Sequence, residues 1–470
     1  MKLEEDACIN LSIYIFEHEK DFYLYDFYGG IVLELNEEVY SEIKKVLLGE
    51  NKIEVTNKYV RELLLSDIFC KKEMEEIIPL SAQKAYLSFA PTYQCNFRCS
   101  YCFGLYGQKY KGLERSFSKE KIRLIIDYFI KELFPNANQY RIDFVSGGEP
   151  LMGFEIIKEA ILYVEKLTWD EKKQISVWLC TNGSLLSDEI NAFLSNHNVS
   201  IGISIDGNKE YHDKNRVDAS GRGTYDKIIS NIQAIQSDKT LSKKYKDIWG
   251  LCTASNENCN FIELLKHFRK IGIKNVQIRL VRNGKRYDSE LINKNYKNLS
   301  KFLLDSYKSG DEFFLNMILN DNDQFGKVLK RVLLNSTVSR RCNAGINKVT
   351  ICPNGDIYPC DSLVGVDKFI IGNVENSTLD RSILNETDVY KRVKCKECEL
   401  NVMCGGDCYY NSYINNGNIC TPSEDFCKIQ RNIINLSIVL RYKLEQFDSK
   451  SFEKFVNRLA MKEEYRDIYG

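Results

Sequence analysis

Strand-like and helical patterns of apolar residues alternate along the middle of the chain, from Ala85 to about residue 285. The strand-like runs are AYLSFA, RIDFVSGG, ISVWLCTNG, SIGISIDG, DIWGLCTAS and NVQIRLVR. The segments between them have helical spacing. In the first, Ser118 is placed to cap a helix whose apolar face is Ile122, Ile125, Ile126, Phe129 and Ile130. Six strand–helix repeats predict an α/β fold with a parallel sheet, arranged as a partial (β/α)6 TIM-like barrel.

The two ends of the chain have different patterns. Residues 1–80 show three strand-like runs around Gly29 and Gly30 and then two helical ones, which predicts a winged-helix-like module. Residues 335–430 are rich in cysteine and have little periodicity, and residues 431–470 form a predicted helical tail.

Polar or cysteine-bearing segments follow the first four strands of the predicted sheet. They are CNFRCSYC, GGEP, TNG and SIDG. Because function in parallel α/β sheets is located at the carboxyl ends of the strands, we expect these four segments to converge on one mouth.

Composition narrows the function classes. The chain has 470 residues with 65 Lys+Arg and 65 Asp+Glu, so its balanced charge gives no reason to expect a nucleic-acid partner. Neither a signal peptide nor an apolar stretch long enough for a membrane is evident, which predicts a cytoplasmic protein without membrane contacts. The 17 cysteines and only 4 histidines favour thiolate metal ligands over disulfides or imidazole sites.

The first cysteine cluster is CNFRCSYC. Its thiols, Cys95, Cys99 and Cys102, can hold one [4Fe–4S] cluster and leave one iron open for another molecule. A closed structural zinc site needs four ligands, and no fourth is nearby.

This motif after the first strand, followed by GGEP, resembles the radical S-adenosylmethionine (SAM) enzymes over roughly residues 85–285, within a predicted domain of residues 85–310. The resemblance implies that SAM chelates the open iron and is cleaved to methionine and a 5′-deoxyadenosyl radical, which abstracts a hydrogen from the substrate. It also implies a set of SAM contacts by position. They are Tyr101 near adenine, Gly147, Gly148 and Glu149 near the amino group, Ser204 and Asp206 toward the ribose, Arg216 near the carboxylate, and Asn182. From the residues alone, GGEP and Asp206-Gly207 are also typical of turns, Tyr101 of a core and Arg216 of a solvated surface.

The second cysteine cluster is CKECELNVMCGGDC, with further cysteines on both sides. The ordered set resembles the SPASM extension of radical SAM enzymes, which houses two auxiliary [4Fe–4S] clusters. By position, the resemblance assigns Cys342, Cys360 and Cys408 to cluster one, and Cys395, Cys398, Cys404 and Cys427 to cluster two. Paired CxxC segments also bind zinc, so a zinc-ribbon scaffold without catalytic activity is an alternative.

Cluster one lacks a clear fourth ligand. ICPNGDIYPC predicts a hairpin with a two-residue Asn354-Gly355 turn, in which Cys352 faces Ile357 and lies on the opposite face from Cys360. Cys352 is therefore expected to pack rather than ligate. Cys420 is a candidate fourth ligand or a rival of Cys427, and an open iron that binds a substrate thiolate is a further possibility.

The N-terminal module weakly resembles the leader-binding domain of peptide-modifying radical SAM enzymes, and a generic cap domain is the alternative. The main functional hypothesis is an oxidoreductase that modifies a ribosomally made precursor peptide (RiPP maturation), through a thioether or related crosslink. Its expected partners are a leader-bearing precursor peptide and an electron donor such as flavodoxin or ferredoxin. The alternative is an anaerobic sulfatase maturase, which oxidises a cysteine or serine to formylglycine. The sequence assigns no catalytic base.

Overall fold

The computed structural model describes residues 12–48, 57–65, 84–104, 109–110, 117–145, 147–171, 173–241, 245, 248–282, 284, 287–376 and 378–469. Cys8 and Cys70, which neither the radical SAM motif nor the SPASM-like set uses and which the sequence predicts to be ordinary buried or surface thiols, lie outside these ranges. Within them, no helix is both long enough and apolar enough to cross a bilayer.

The N-terminal part is a three-stranded antiparallel sheet followed by two helices. Its elements are β1 (Ile13–His18), β2 (Asp21–Asp26), β3 (Val32–Leu35), α1 (Glu37–Leu47) and α2 (Lys58–Leu65). The strands lie in the order β1-β2-β3, so β3 is an edge strand. Asn36 begins α1 by accepting a hydrogen bond from the backbone N–H of Val39. The order of strands and helices is the one that the sequence predicts.

Six parallel strands form the centre of the molecule. They are β4 (Lys84–Phe89), β5 (Gln139–Phe144), β6 (Gln174–Thr181), β7 (Ser200–Ser204), β8 (Ile248–Ala254) and β9 (Asn275–Leu280). They lie side by side in chain order, each parallel to the next. The predicted α/β class and the partial barrel are confirmed.

Helices cover the outer face of these strands. They are α3 (Lys119–Asp127), α4 (Phe154–Glu171), α5 (Asp188–Asn196), α6 (Lys209–Asn215), α7 (Tyr225–Ser237), α8 (Phe261–Lys270), α9 (Ser289–Lys308), α10 (Phe313–Ile318) and α11 (Gly326–Leu333). Ser118 caps α3 as predicted, since its side chain accepts from the N–H of Lys121. The predicted helix then changes to a π-helical turn over Tyr128–Leu133, and its apolar face stays buried.

The cysteine-rich segment extends the same sheet, which the sequence did not indicate. Strand β10 (Lys348–Ile351) pairs parallel with β4, and β11 (Asp356–Tyr358), β12 (Gly372–Asn373) and β13 (Thr378–Leu379) add antiparallel strands beyond it. The cysteine-rich part is therefore continuous with the barrel through backbone hydrogen bonds.

The predicted register of the β10–β11 hairpin is wrong by one residue. Ile351, not Cys352, faces Ile357, and the N–H of Cys352 donates to the carbonyl of Asp356 at 2.9 Å. The loop therefore has three residues and ends on Gly355, whose φ of +86° supplies the left-handed position that a three-residue hairpin needs. The pairing of Thr350 with Tyr358 puts Cys352 and Cys360 on the same side of the ribbon by alternation, so the predicted separation of these two thiols on opposite faces is wrong. Cys352 is buried in an apolar cluster against which Cys360 also packs, and its expected packing role stays a prediction.

Four helices complete the chain: α12 (Asn401–Cys404), α13 (Tyr409–Asn416), α14 (Glu424–Phe447) and α15 (Ser449–Tyr469). Ser423 caps α14, which therefore begins before the tail expected at residue 431. Helix α14 packs along α9 and α11 and also contacts the N-terminal sheet, where Tyr14 Oη donates to Asn435 Oδ1 at 3.0 Å. The C-terminal helix thus joins the N-terminal module to the barrel.

Candidate active site

The four segments that follow the first strands do meet at one mouth. The cysteine loop is held there by backbone hydrogen bonds, from Arg98 N–H to the carbonyl of Val217 at 2.8 Å and from Ser100 N–H to that of Asn215 at 2.9 Å. On its other side, Glu149 N–H donates to the carbonyl of Gln94 at 2.8 Å. The loop is therefore fixed by segments that are distant in sequence.

The three thiols of this loop lie close enough to influence one another. Burial raises the pKa of Cys95 to about 11 and that of Cys99 to about 12, and in each case Cys102 raises it further. Because burial disfavours the charged thiolate, these cysteines need nearby positive charge, such as that of iron, to lose their protons. Among the described residues, no three Cys, His, Asp or Glu side chains converge tightly enough for a single ion. A four-iron cube, whose thiolates stand on separate irons, fits three spaced thiols better than one ion does.

Close backbone approach explains the two glycines of GGEP. Gly147 has a φ of +80°, and a Cβ on Gly148 would lie 1.9 Å from the carbonyl oxygen of Gln94. Only glycine at position 148 lets the loop after β5 and the cysteine loop touch.

The carboxylate of Glu149 is buried and bonded to its own chain. It accepts from Thr181 Oγ1 at 2.5 Å, from Asn182 N–H at 2.7 Å and from Leu151 N–H at 3.2 Å. Burial nevertheless raises its pKa to about 7. The side chain predicted to contact SAM thus also ties β5 to the end of β6, a role that the motif does not reveal.

Asp206, Arg216 and Tyr101 form one buried network. The guanidinium of Arg216 binds both carboxylate oxygens of Asp206, at 3.0 and 3.2 Å, and lies 5.4 Å from the ring centre of Tyr101. The Tyr101 hydroxyl donates to Asp206, as does Thr253 N–H at 3.0 Å. Arg216 is therefore a buried ion-pair partner and not a solvated charge. The expected SAM contacts of these residues stay predictions, and Ser204 lies partly exposed at the end of β7 beside them.

Asn182 connects the third strand to the cysteine loop. Its Nδ2 donates to Asn96 Oδ1 at 2.9 Å, and its Oδ1 accepts from Ser184 N–H at 2.9 Å. Both functional groups of the side chain are engaged with protein atoms, so this residue holds the loop in place.

The cysteines downstream of the barrel fall into two groups. Burial raises the pKa of Cys360 above its usual range, and Cys408 and Cys342 add to the shift. Burial raises the pKa of Cys427 to about 12, and the other contributing thiols are Cys404, Cys395 and Cys398. The structure thus brings together the two sets that the resemblance assigns to clusters one and two.

Two further candidate ligands pack in the same apolar cluster as Cys360 and Cys408. Cys352 is buried beside Tyr93, which bonds to its sulfur, and the carboxylate that acts on it is Asp356. Cys420 is influenced by Arg392 and Glu386. In the described part of the chain, no hydrogen bond or pKa contribution joins either thiol to Cys342, Cys360 or Cys408, so these three remain the thiols that the electrostatics groups together.

Buried cations surround the downstream thiols, and sequence inspection did not identify them. Arg282 Nη1 lies 2.9 Å from Cys408 Sγ, and Arg331 Nη1 donates to the carbonyl of Met403 at 2.9 Å. Lys327 donates to the carbonyl of Arg341 at 2.6 Å, and burial, followed by Arg331 and Arg341, lowers its pKa. This excess of buried positive charge suits anionic iron–sulfur clusters. The sequence feature that could have identified such a cation is the position of Arg282, two residues after the last barrel strand.

Two family models match this chain. The radical SAM superfamily model matches residues 89–240, and the model of the SPASM iron–sulfur cluster-binding domain matches residues 342–409. The chain is a radical SAM enzyme. Its radical SAM domain binds a [4Fe–4S] cluster and SAM, and its SPASM domain binds auxiliary iron–sulfur clusters.

Curated relatives of this radical SAM enzyme include a cysteine-type anaerobic sulfatase-maturating enzyme of Clostridium novyi, 29% identical over 371 residues, which cover 74% of this chain and 94% of that protein. A serine-type anaerobic sulfatase-maturating enzyme of Bacteroides thetaiotaomicron is 25% identical over 68% of this chain and 81% of its own. The radical SAM cyclopropyl synthase TigE of Paramaledivibacter caminithermalis is 21% identical over 75% of each chain.

Solved structures share the fold of this radical SAM enzyme. Native anSMEcpe with bound AdoMet superposes with a TM-score of 0.59 at 19% identity, and covers 80% of this chain and 99% of its own. The same protein with AdoMet and the Cp18Cys peptide gives a TM-score of 0.57 at 21% identity. About a fifth of the present chain therefore has no counterpart in that fold.

Proposed function

We propose that this enzyme abstracts a hydrogen atom from a cysteine or serine side chain of a polypeptide and oxidises it by two electrons to formylglycine, as expected of an anaerobic sulfatase maturase. The second electron would pass to an auxiliary cluster and a proton to the solvent, and for cysteine water would replace the sulfur, which leaves as hydrogen sulfide. The observation that carries this proposal is the match to the Clostridium novyi enzyme over 94% of that protein's length. The curated relatives thus favour the sulfatase-maturase alternative over the thioether or crosslink hypothesis.

In this proposal Cys95, Cys99 and Cys102 hold the first cluster. When bound, that cluster would supply the electron for cleavage of SAM into methionine and a 5′-deoxyadenosyl radical. The chain's own contribution is positional, since the network of Asp206 and Arg216 and the bonds of Glu149 fix the cysteine loop at the mouth of the barrel. The SAM contacts proposed for Tyr101, Gly147, Gly148, Asn182 and Ser204 surround the same loop.

Two further sets of thiols would hold the auxiliary clusters. Cluster two would take Cys395, Cys398, Cys404 and Cys427, and cluster one Cys342, Cys360 and Cys408. Because the resemblance and the electrostatics both assign only three thiols, Cys342, Cys360 and Cys408, to cluster one, we propose that it would keep an open iron for a substrate thiolate. Arg282, 2.9 Å from Cys408 Sγ, would offset the negative charge of that cluster.

A second candidate function, crosslinking of a leader-bearing precursor peptide, is favoured by the N-terminal module. Its edge strand β3 could accept an extended peptide as a fourth strand. The module also packs on the rest of the enzyme, since Asn335 Nδ2 donates to the carbonyl of Tyr28 at 2.5 Å and Tyr23 lies against Tyr442. The anSMEcpe structure leaves about a fifth of this chain unmatched, and that fraction is about as long as the N-terminal module.

The electron for SAM cleavage would come from a flavodoxin or ferredoxin. We place the enzyme in the cytoplasm, because a reducing compartment keeps the many thiols available for iron.

The experiment uses reconstituted enzyme, SAM and reductant without oxygen, with synthetic peptides that contain cysteine or serine. Formylglycine is detected as a new carbonyl that a hydrazide traps, whereas a crosslink appears as the loss of two hydrogens with both residues retained. We expect the carbonyl. Alanine at Cys95, Cys99 and Cys102 should abolish SAM cleavage, while alanine at the buried Cys259, outside all three groups, should not. SAM cleavage that survives the triple substitution would overturn the proposal.

A further inference from the structure

Arg279 points into the interior of the barrel. It lies near the end of β9, where Ile278 and Leu280 pack in the core on the other side of the sheet. Water reaches its side chain, although many protein atoms surround the guanidinium, and Cys180, three strands away on β6, contributes to its pKa. The guanidinium therefore lies on the inner face of the barrel near its mouth, where a substrate would enter.

The hydrogen-bond partners of Arg279 are all neutral. Its Nε donates to the carbonyl of Asn322 at 2.9 Å, and its Nη2 to Asn322 Oδ1 at 2.6 Å and to Gln277 Oε1 at 3.3 Å. Within the described part of the chain, no carboxylate forms a salt bridge with it. Its positive charge is thus held in place without being neutralised.

The charges around Arg279 leave an excess of positive charge. Burial and then repulsion from Arg282 lower its pKa, against the attraction of Cys180, Asp361 and Cys408. Asp361 is a shared carboxylate, since it also acts on Arg282 and Lys109. Arg279, Arg282 and Lys109 therefore all lie within electrostatic reach of this one carboxylate.

Arg279 is also held rigidly. The loop that carries Asn322 is bonded to β9, because Asp323 Oδ2 accepts from Ile278 N–H at 2.8 Å and Asn320 Nδ2 donates to the carbonyl of Val276 at 2.9 Å. A guanidinium fixed in this way loses little freedom when it binds a planar carboxylate.

We propose that Arg279 binds a carboxylate of the polypeptide substrate, on a side chain or chain end near the residue that loses hydrogen. This inference rests on the proposed function, in which a substrate thiolate approaches cluster one. SAM also carries a carboxylate. However, Arg216 lies 5.4 Å from the ring of Tyr101 in the cysteine loop, whereas Arg279 lies three residues before Arg282, which contacts Cys408 of the downstream group at 2.9 Å. The substrate side of the mouth is therefore the source that the geometry favours.

The test uses the reconstituted holoenzyme and three small thiols as probes: 3-mercaptopropionate, 2-mercaptoethanol and cysteamine. Each gives its proton to the buffer and offers a thiolate to the open iron, and binding is followed through the electron paramagnetic resonance signal of reduced cluster one. We expect 3-mercaptopropionate to bind about tenfold more tightly than 2-mercaptoethanol, and cysteamine more weakly than both. In Arg279→Gln the tenfold preference should disappear, and Arg279→Lys should keep part of it. The control Lys270→Gln, which removes an exposed charge at the end of α8, should behave as wild type.

Each contrary result has a defined meaning. Equal affinities of 3-mercaptopropionate and 2-mercaptoethanol in the wild type, or a preference that survives Arg279→Gln, would overturn the inference. If Arg279→Gln weakens SAM binding and leaves the thiol preference intact, the carboxylate belongs to SAM and the inference is again wrong. If no thiol alters cluster one while SAM is still cleaved, the open iron and this inference both fail but the radical chemistry stands. Loss of SAM cleavage in the wild type would instead count against the proposed function.

Discussion

At the scale of single residues, buried carboxylates hold the mouth of the barrel together. Asp206 accepts hydrogen bonds from Tyr101, Arg216 and Thr253, and Glu149 bonds to Thr181 and Asn182. The sequence predicts that both residues contact SAM. In the structure they connect strand ends to the cysteine loop, so a change at either one would alter loop position as well as any direct contact with SAM.

Replacing Asp206 by asparagine should destabilise the protein strongly. The change leaves the buried guanidinium of Arg216 without its counter-charge, which costs about 3–5 kcal/mol in the free energy of unfolding. Tyr101→Phe removes one hydrogen bond to the same carboxylate and should cost only about 1–2 kcal/mol. Anaerobic urea unfolding measures both variants, and an Asp206→Asn protein as stable as wild type would show that the pair is not buried in solution.

Asp323 and Glu149 should each lower the stability of the iron-free protein as pH rises from about 4 to 7. Burial raises the pKa of Asp323 from 3.8 to about 7, and that of Glu149 from 4.5 to about 7. The folded protein therefore holds these protons more tightly than the unfolded chain. Their stabilisation is complete below the unfolded pKa values and is lost as pH rises through the folded ones.

Each of these two groups adds a slope of at most about 1.4 kcal/mol per pH unit. Asp323→Asn should remove the contribution of one group, so that its free energy of unfolding falls less steeply with pH than that of the wild type in urea unfolding across this range. The exposed Asp305→Asn serves as the control and should have the wild-type slope. An Asp323→Asn protein with the wild-type slope would contradict the prediction.

At the scale of secondary-structure elements, the site depends on loops that touch one another at strand ends. The loop after β5 lies against the cysteine loop at Gly148 and Gln94, and Asn182 after β6 bonds to Asn96. Parallel strands in chain order bring these loops to one edge, and backbone hydrogen bonds then fix their spacing.

Gly148→Ala should therefore prevent the first cluster from forming. The added Cβ would lie 1.9 Å from a backbone oxygen, which cannot move aside as a flexible side chain could. We expect the iron content to fall by about four per chain, with loss of SAM cleavage. Gly310→Ala is the control, since a Cβ there meets no atom within 4 Å and costs only backbone strain. Full iron content in Gly148→Ala would show that the two loops do not need this contact.

At the scale of the whole molecule, α14 connects regions that the sequence keeps far apart. Its first turn carries Cys427, its middle carries Arg431, paired with Glu399 at 2.6 Å, and further along Asn435 bonds to Tyr14. The helix thus holds a thiol of the second auxiliary group, the loop beside it and the N-terminal sheet in one arrangement.

The iron content of cysteine variants should follow the grouping of thiols in space. Reconstituted wild type should hold about twelve irons per chain, and Cys427→Ala should lose up to about four of them, with the auxiliary signals changed. Cys352→Ala and Cys420→Ala should keep about twelve, because the proposed assignment gives neither thiol an iron. Loss of iron in Cys420→Ala with none in Cys427→Ala would exchange the roles of these two residues.

Much of the fold and part of the candidate site could be predicted from sequence patterns. The six strands, the cap at Ser118 and the position of the cysteine loop after β4 all follow from local periodicity and motif spacing. The hairpin register failed because a three-residue loop ending on Gly355 resembles a two-residue turn in sequence. The positions of the cations Arg282, Lys327 and Arg331 could not be predicted, because no local pattern distinguishes a buried arginine or lysine from a solvated one.

The sequence by itself determined which chemistry is available, because thiol spacing and strand–helix alternation are local properties of the chain. Only the tertiary structure decided which thiols share a group, which carboxylates serve the fold and where Arg279 points. Those outcomes depend on contacts between residues far apart in sequence, and such contacts form only when the strands pair and the helices pack around them.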